Sequence, residues 1–238
     1  IEFQKSVAID LIPDEFKDTQ KYFPFKGNMC IKKLEILLEN NKDGNIPVIM
    51  ITLTNNTGGG QPVSMQNIRD TRELSLKYGI PLYIDACRFA ENAYFIKMRE
   101  DEFKNTSIKD IVKEMFSYSD GCTMSAKKDA ITNIGGFLCT NDDTLAEKQK
   151  ELLILTEGFP TYGGLAGRDL EAIAIGLNEV IDEDYLDYRI ASTKYLGDKI
   201  ANYGVPILQP PGGHAIYIDA KMLLPSIAPH EFPGQALA

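Results

Sequence analysis

The amino-acid sequence predicts an α/β fold on a mostly parallel sheet, and three observations carry that expectation. A continuously apolar, β-rich run, "IPVIMITL" at 46–53, has the composition of a parallel strand covered on both faces. A helical stretch and a second strand, "IPLYIDA" at 80–86, follow at the spacing of a βαβ crossover. A third short strand, "DGCTMS" at 120–125, comes after two further helical patterns.

Each element has its own signal. The first strand runs into "TNNTGGGQP" at 54–62, a turn-forming loop. In "SMQNIRDTRELSLKYG" at 64–79, Ser64 is placed to cap a helix, Ile68, Leu74 and Leu76 supply an apolar stripe, and Gly79 ends it. "CRFAENAYFIKMRE" at 87–100 and "SIKDIVKEMFSYS" at 107–119 are helical, the second with Ser107 as its cap. "KKDAITNIGGFLCTND" at 127–142 reads as a loop and a hairpin partner strand, with Gly135 and Gly136 permitting a bend. Two long helical patterns fill 168–204, and Gly204 stops them. "VPILQPPGGHAIYIDA" at 205–220 then gives a strand, a proline-rich turn and a strand, as at the entry to a smaller domain. The expected division is a large domain over 1–195 and the beginning of a small α+β domain over 196–238; the resemblance described below implies that the large domain binds the cofactor and lacks its N-terminal part here. The chain starts at Ile1 and stops just after "PHEFPGQALA", a helix entering its first turns, so it reads as a fragment of a longer polypeptide.

Composition narrows the function. With 34 acidic and 25 basic residues the net charge is -9, which repels a phosphate backbone, and no basic run offsets it; nucleic acid is not an expected partner. No apolar run approaches the length of a membrane helix, and nothing resembles a signal peptide. Cys30, Cys87, Cys122 and Cys139 are too widely spaced for a zinc knuckle and read as reduced thiols of a cytoplasmic protein.

The first chemical candidates are Asp85, at the end of "LYIDA", and Lys128, just past "DGCTMS". In open α/β sheets ligands gather at the carboxyl ends of strands, so both side chains are expected at one crevice. A pyridoxal phosphate enzyme needs a lysine amine to form a Schiff base and an acid to hold the pyridine nitrogen protonated. Asp85 and Lys128 fit those roles. Taken singly, a strand-end aspartate also serves as a helix cap or metal ligand, and a lysine after serine is commonly a solvated side chain. The run Gly58, Gly59 and Gly60 lacks the Lys-Ser/Thr ending of a P-loop and is better explained as a tight strand-to-helix turn.

Six words, "TNNTGGGQPVS", "DACRFAENAYFIK", "MSAKKDA", "NIGGFLC", "EGFPTYGGLAGRD" and "GGHA", resemble in order and spacing those of the tryptophanase and tyrosine phenol-lyase family of β-eliminating lyases. The resemblance covers about Ile46 to Ala238 and implies a pyridoxal-phosphate fold type I large domain. It implies that Lys128 carries the cofactor and serves as base for the α-proton. By the same resemblance Ser125 and Lys127 are at the cofactor phosphate, Asp85 is at the pyridine nitrogen, and Arg88 and Asn56 are at the ring's phenolic oxygen. The backbone carbonyl of Asn133 matches a potassium ligand, His214 matches a histidine near the active site, and Tyr162 and Gly163 match a domain joint. The phosphate loop, the ring-stacking aromatic residue and the carboxylate-gripping arginine of the family lie outside this chain.

The implied reaction is β-elimination of an aromatic amino acid, tryptophan to indole, pyruvate and ammonium, in a cytoplasmic homotetramer. The alternatives are a tyrosine phenol-lyase, an aminotransferase of the same fold, or a truncated fragment without catalysis.

Overall fold

The computed structural model describes residues 5–158 and 164–238. Four strands form one sheet in the order β1-β2-β3-β4: β1 (Ile49–Thr52), β2 (Leu82–Asp85), β3 (Gly121–Ser125) and β4 (Gly136–Thr140). The first three are parallel, and β4 returns antiparallel to β3. Both parallel connections are helical, the usual way to return the chain to the same end of the sheet. α2 (Met65–Tyr78) joins β1 to β2, and α3 (Phe89–Arg99) with α4 (Ile108–Ser117) joins β2 to β3.

Local chemistry sets these boundaries. Ser64 Oγ accepts the Asn67 N–H at the start of α2, and Gly79 closes the helix in the left-handed region at φ 65°. Ser107 caps α4 in the same way through the Asp110 N–H. The buried residues of α2 are Met65, Asn67, Ile68, Thr71, Leu74 and Ser75, which recur at intervals of three and four along one face. Leu76 does not join it: two positions beyond Leu74 it points outward and is 65 % exposed.

The first strand also departs from expectation. Within β1 only Ile49 and Ile51 are buried, whereas Met50 faces outward into a groove that the 9–13 segment covers only in part. The core lies between this sheet and its helices, with Ile51, Leu82, Ile84, Ile96, Ile111 and Met115 among its members. Asn92 of α3 locks the helix to the β1–α2 loop, its side chain accepting the Val63 N–H and donating to the Val63 carbonyl.

Two helices carry no clear signal in the sequence: α1 (Ile31–Glu39) and α5 (Asp143–Thr156). The two long patterns become α6 (Gly167–Glu179) and α7 (Glu183–Asn202), and Gly204 follows at φ 80°. Of the strand, turn and strand expected at 205–220, a single bridge forms, Ile207 with Ile218. Two short helices, α8 (Ala220–Leu223) and α9 (Pro233–Leu237), complete the described chain. No helix among the described residues is long and apolar enough to cross a membrane.

Candidate active site at the carboxyl ends of the strands

The β2–β3 register sets Asp85 beside Thr123, two residues before Ser125, so the acid and the start of the lysine loop are neighbours by sheet geometry. Cys87 sits between them. Its N–H donates to Asp85 Oδ1 at 3.3 Å, and its Sγ accepts the Ser125 N–H at 3.3 Å. Burial raises the Cys87 thiol pKa, and Asp85 adds to this; the Ser125 amide and the charge of Lys128 act in the opposite direction. The thiol thus feels both the acid and the amine that the sequence singles out, although nothing in the spacing marks it.

The loop bearing Lys127 and Lys128 spans 126–135, between β3 and β4. Ala126 N–H donates to Gly135 O at its neck, and Thr132 Oγ1 donates to the Ala126 and Ile134 carbonyls. Gly135, at φ 99°, adopts a backbone that other residues avoid, and a Cβ there would press on Leu165 and Ile173. Lys127 and Asn133 are exposed, whereas Lys128 is half-buried. From the other side, Gly176 of α6 lies so close to Ala130 O that only a hydrogen fits between them.

Arg88 stands at the N-terminus of α3, and its carbonyl accepts Thr54 Oγ1 at 2.9 Å. That bond draws the β1 loop, with Asn56, toward the β2 loop. Thr54 has φ 44° and Ile131, in the lysine loop, φ 55°. β-Branched residues rarely adopt this conformation, which costs about 1–3 kcal/mol each, and such strain concentrates at ligand sites. Asn56 is exposed, and its carbonyl accepts the Gly59 N–H.

The glycine run packs against a second glycine pair. Gly213 N–H donates to Gly60 O at 3.1 Å, Gly212 lies on the carbonyls of Gly59 and Gly60, and a Cβ at Gly60 would strike the His214 ring. His214 Nδ1 is 3.5 Å from Glu91 Oε2, and Tyr217 Oη is 3.4 Å from His214 Nε2. The Gly213–Gly60 bond and the approach of His214 to Glu91 place this segment near the same end of the sheet, and burial raises the Tyr217 pKa, against the charge of Arg88. Tyr162 and Gly163 lie outside the described residues.

Asp85, Arg88, Lys127 and Lys128 all lie at or just past the carboxyl ends of β2 and β3, the edge at which ligands gather in an open α/β sheet, and this places the chain in the class of α/β proteins with a candidate ligand site there. Comparison with known proteins specifies the class further. The family model for beta-eliminating lyases matches residues 1–229. The chain is 59% identical to a tryptophanase of Salinibacter ruber over 238 residues, all of this chain and 50% of that protein. It is 56% identical to a tryptophanase of Hyphomonas neptunium, over all of this chain and 52% of that protein. With a tyrosine phenol-lyase of Pasteurella multocida it shares 54% identity over 97% of this chain and 50% of that protein.

A crystal structure from Exiguobacterium sp. 255-15, assigned to the aromatic amino acid beta-eliminating lyase/threonine aldolase group, superposes with a TM-score of 0.50 at 16% identity. It covers 68% of this chain and 41% of that one, and supports the fold alone. The chain belongs to the beta-eliminating lyase family. It spans about half the length of the curated relatives it matches.

Proposed function

We propose that the protein is a pyridoxal-phosphate-dependent carbon–carbon lyase that eliminates the side chain of an aromatic amino acid, with tryptophan the favoured substrate. The observation that carries this reading is the 59% identity to a tryptophanase across the entire chain. Tyrosine is the second reading, because a tyrosine phenol-lyase stands only slightly further away at 54%.

The residues present suit the cofactor. Lys128 and Lys127 offer ammonium groups to a phosphate and an amine for covalent attachment, and the Asp85 carboxylate suits a protonated pyridine nitrogen. Bound there, the cofactor supplies an electron sink for a carbanion. Asp85 would hold a proton at the ring nitrogen. Arg88 and Asn56 would favour the ionised ring oxygen, and Ser125 with Lys127 would hold the phosphate. Lys128 would hold the cofactor through its amine, and that amine, when free, would be the base placed to take the α-proton of the substrate. The Asn133 carbonyl is assigned to potassium, the assembly is a cytoplasmic homotetramer, and 1–195 and 196–238 are assigned to the large and small domains.

The test is an assay of the full-length protein with pyridoxal phosphate and potassium, tryptophan and tyrosine being supplied separately. Indole and pyruvate from tryptophan, reduced at least a thousandfold in Lys128→Ala, are expected. Phenol from tyrosine would move the substrate assignment. Absence of product from both would reject the lyase reading.

A further inference from the structure

Asp129 directly follows Lys128, and the roles assigned above leave it unused. Its side chain is buried and turned away from solvent. Oδ2 accepts the Ala90 N–H at 2.8 Å and the Glu91 N–H at 3.4 Å, in the first turn of α3. The Asp129 N–H donates to the Cys87 carbonyl at 3.2 Å. α3 has no side-chain cap of its own, since Arg88 at its N-cap position makes no capping bond. The carboxylate of the lysine loop therefore fills the cap position from a different part of the chain, about forty residues away.

This connection is short and two-sided. Asp85, Cys87 and Arg88 lie within four positions at the end of β2, and the three bonds of Asp129 fasten the loop to Cys87 in that segment and to Ala90 and Glu91 directly after it. Burial, and next the charge of Glu91, push the Asp129 carboxyl up to about 7, against the two amide donors. Its carbonyl oxygen accepts those amides whether or not the group is ionised, so asparagine is its close mimic. Glu91, fully buried, extends the tie outward: Oε1 accepts Arg189 Nε of α7 at 2.6 Å, and Oε2 faces His214.

We propose that Asp129 is a positioning residue for Lys128, holding the lysine loop in register with the β2–α3 turn so that the amine and the Asp85 carboxylate stay on opposite ends of one bound cofactor ring. The proposal rests on the lyase reading above. A cap that served only to stabilise α3 would lower the melting temperature without changing how Lys128 meets the cofactor.

The experiment compares wild type, Asp129→Ala and Asp129→Asn in the full-length holoprotein. It reads kcat and KM, and the fraction of pyridoxal phosphate fixed to Lys128 by borohydride reduction, located by peptide mass spectrometry. The alanine variant is expected to lose at least tenfold in kcat with less than threefold change in KM, and to lose most of the fixed cofactor; asparagine restores most of both. Wild-type kcat and fixation in the alanine variant would overturn the proposal. Equal impairment of alanine and asparagine would also overturn it, because an acceptor oxygen would then be insufficient. If the alanine variant does not fold, asparagine decides alone: near-normal fixation supports the clamp, and loss of fixation in a folded protein rejects it. A wild type inert toward both amino acids removes the lyase reading, while fixation of the cofactor still reports on the clamp.

Discussion

At the scale of single residues, the groups that matter most are those whose polar atoms have several simultaneous obligations. Asp120, just before β3, accepts both Arg72 guanidinium nitrogens, at 2.6 and 3.0 Å, and the Leu82 N–H at 2.8 Å. It thereby ties α2 to the starts of β2 and β3. Burial acts to raise its pKa, but Arg72 and the Leu82 amide outweigh this and hold the carboxyl below its ordinary range. A depressed carboxylate contributes stability above its unfolded value of about 3.9, and the contribution is lost as pH falls through the folded value. Asp120→Ala should therefore cost about 1–3 kcal/mol at pH 7, at the lower end because the pair reaches solvent, and progressively less as pH falls below about 3.9 and through the folded value. Urea unfolding at pH 7 and in acid checks this; an equal loss at both would refute the assignment.

At the scale of elements, the tightest fit is α6 on the lysine loop at Gly176. A methyl group there would meet Ala130 O and must push either the helix or the loop aside. Gly176→Ala should lower stability by about 1–3 kcal/mol despite alanine's better helix propensity, with a loss of cofactor retention larger than that at an exposed α6 site such as Ala172→Gly. Thermal unfolding with and without added pyridoxal phosphate measures both.

The elements legible in the sequence were those with punctuation: Ser64 and Gly79 around α2, Ser107 before α4, and Gly204 after α7. α1 begins after Cys30 without a polar cap, so its apolar spacing Ile31, Leu34 and Leu38 was the only available signal. α5 is capped by Asp142, but it buries no residue, and an apolar stripe is what distinguishes a packed helix from a solvated segment. Within the site, Asp85 and Lys128 could be read from strand ends and motif words. Cys87, Asp129 and Glu91 could not, because their partners are set by the β2–β3 register and by α7, not by local spacing.

At the scale of the whole molecule, the sheet ends in two open edges among the described residues. β1 exposes Met50, and β4 exposes Phe137 and Leu138 on a strand whose outer polar groups lack a neighbouring strand. Open apolar edges template pairing with other chains. The 238-residue chain expressed by itself should self-associate, and Leu138→Lys should reduce that association several-fold at unchanged far-UV circular dichroism, as followed by light scattering. Association that is insensitive to the lysine would place the contact elsewhere. The α/β class and parallel pairing followed from the apolar runs and their spacing. The part-exposed second face of β1 did not, because a continuous apolar run carries no information about which side is covered only in part.

The glycine joint also bears on the order of folding. Gln61 Nε2 reaches Pro210 O across 149 positions, and Thr19 Oγ1 reaches Asp219 Oδ2 across 200. Contacts this distant in sequence are entropically unfavourable until the intervening chain is compact, so the joint between 59–61 and 210–214 closes late, after the β1–α2–β2 unit. Amide exchange should mark that sequence in time: during refolding the Ile49 N–H, which donates to Pro81 O, becomes protected first, and the Gly213 N–H is among the last to stop exchanging with solvent.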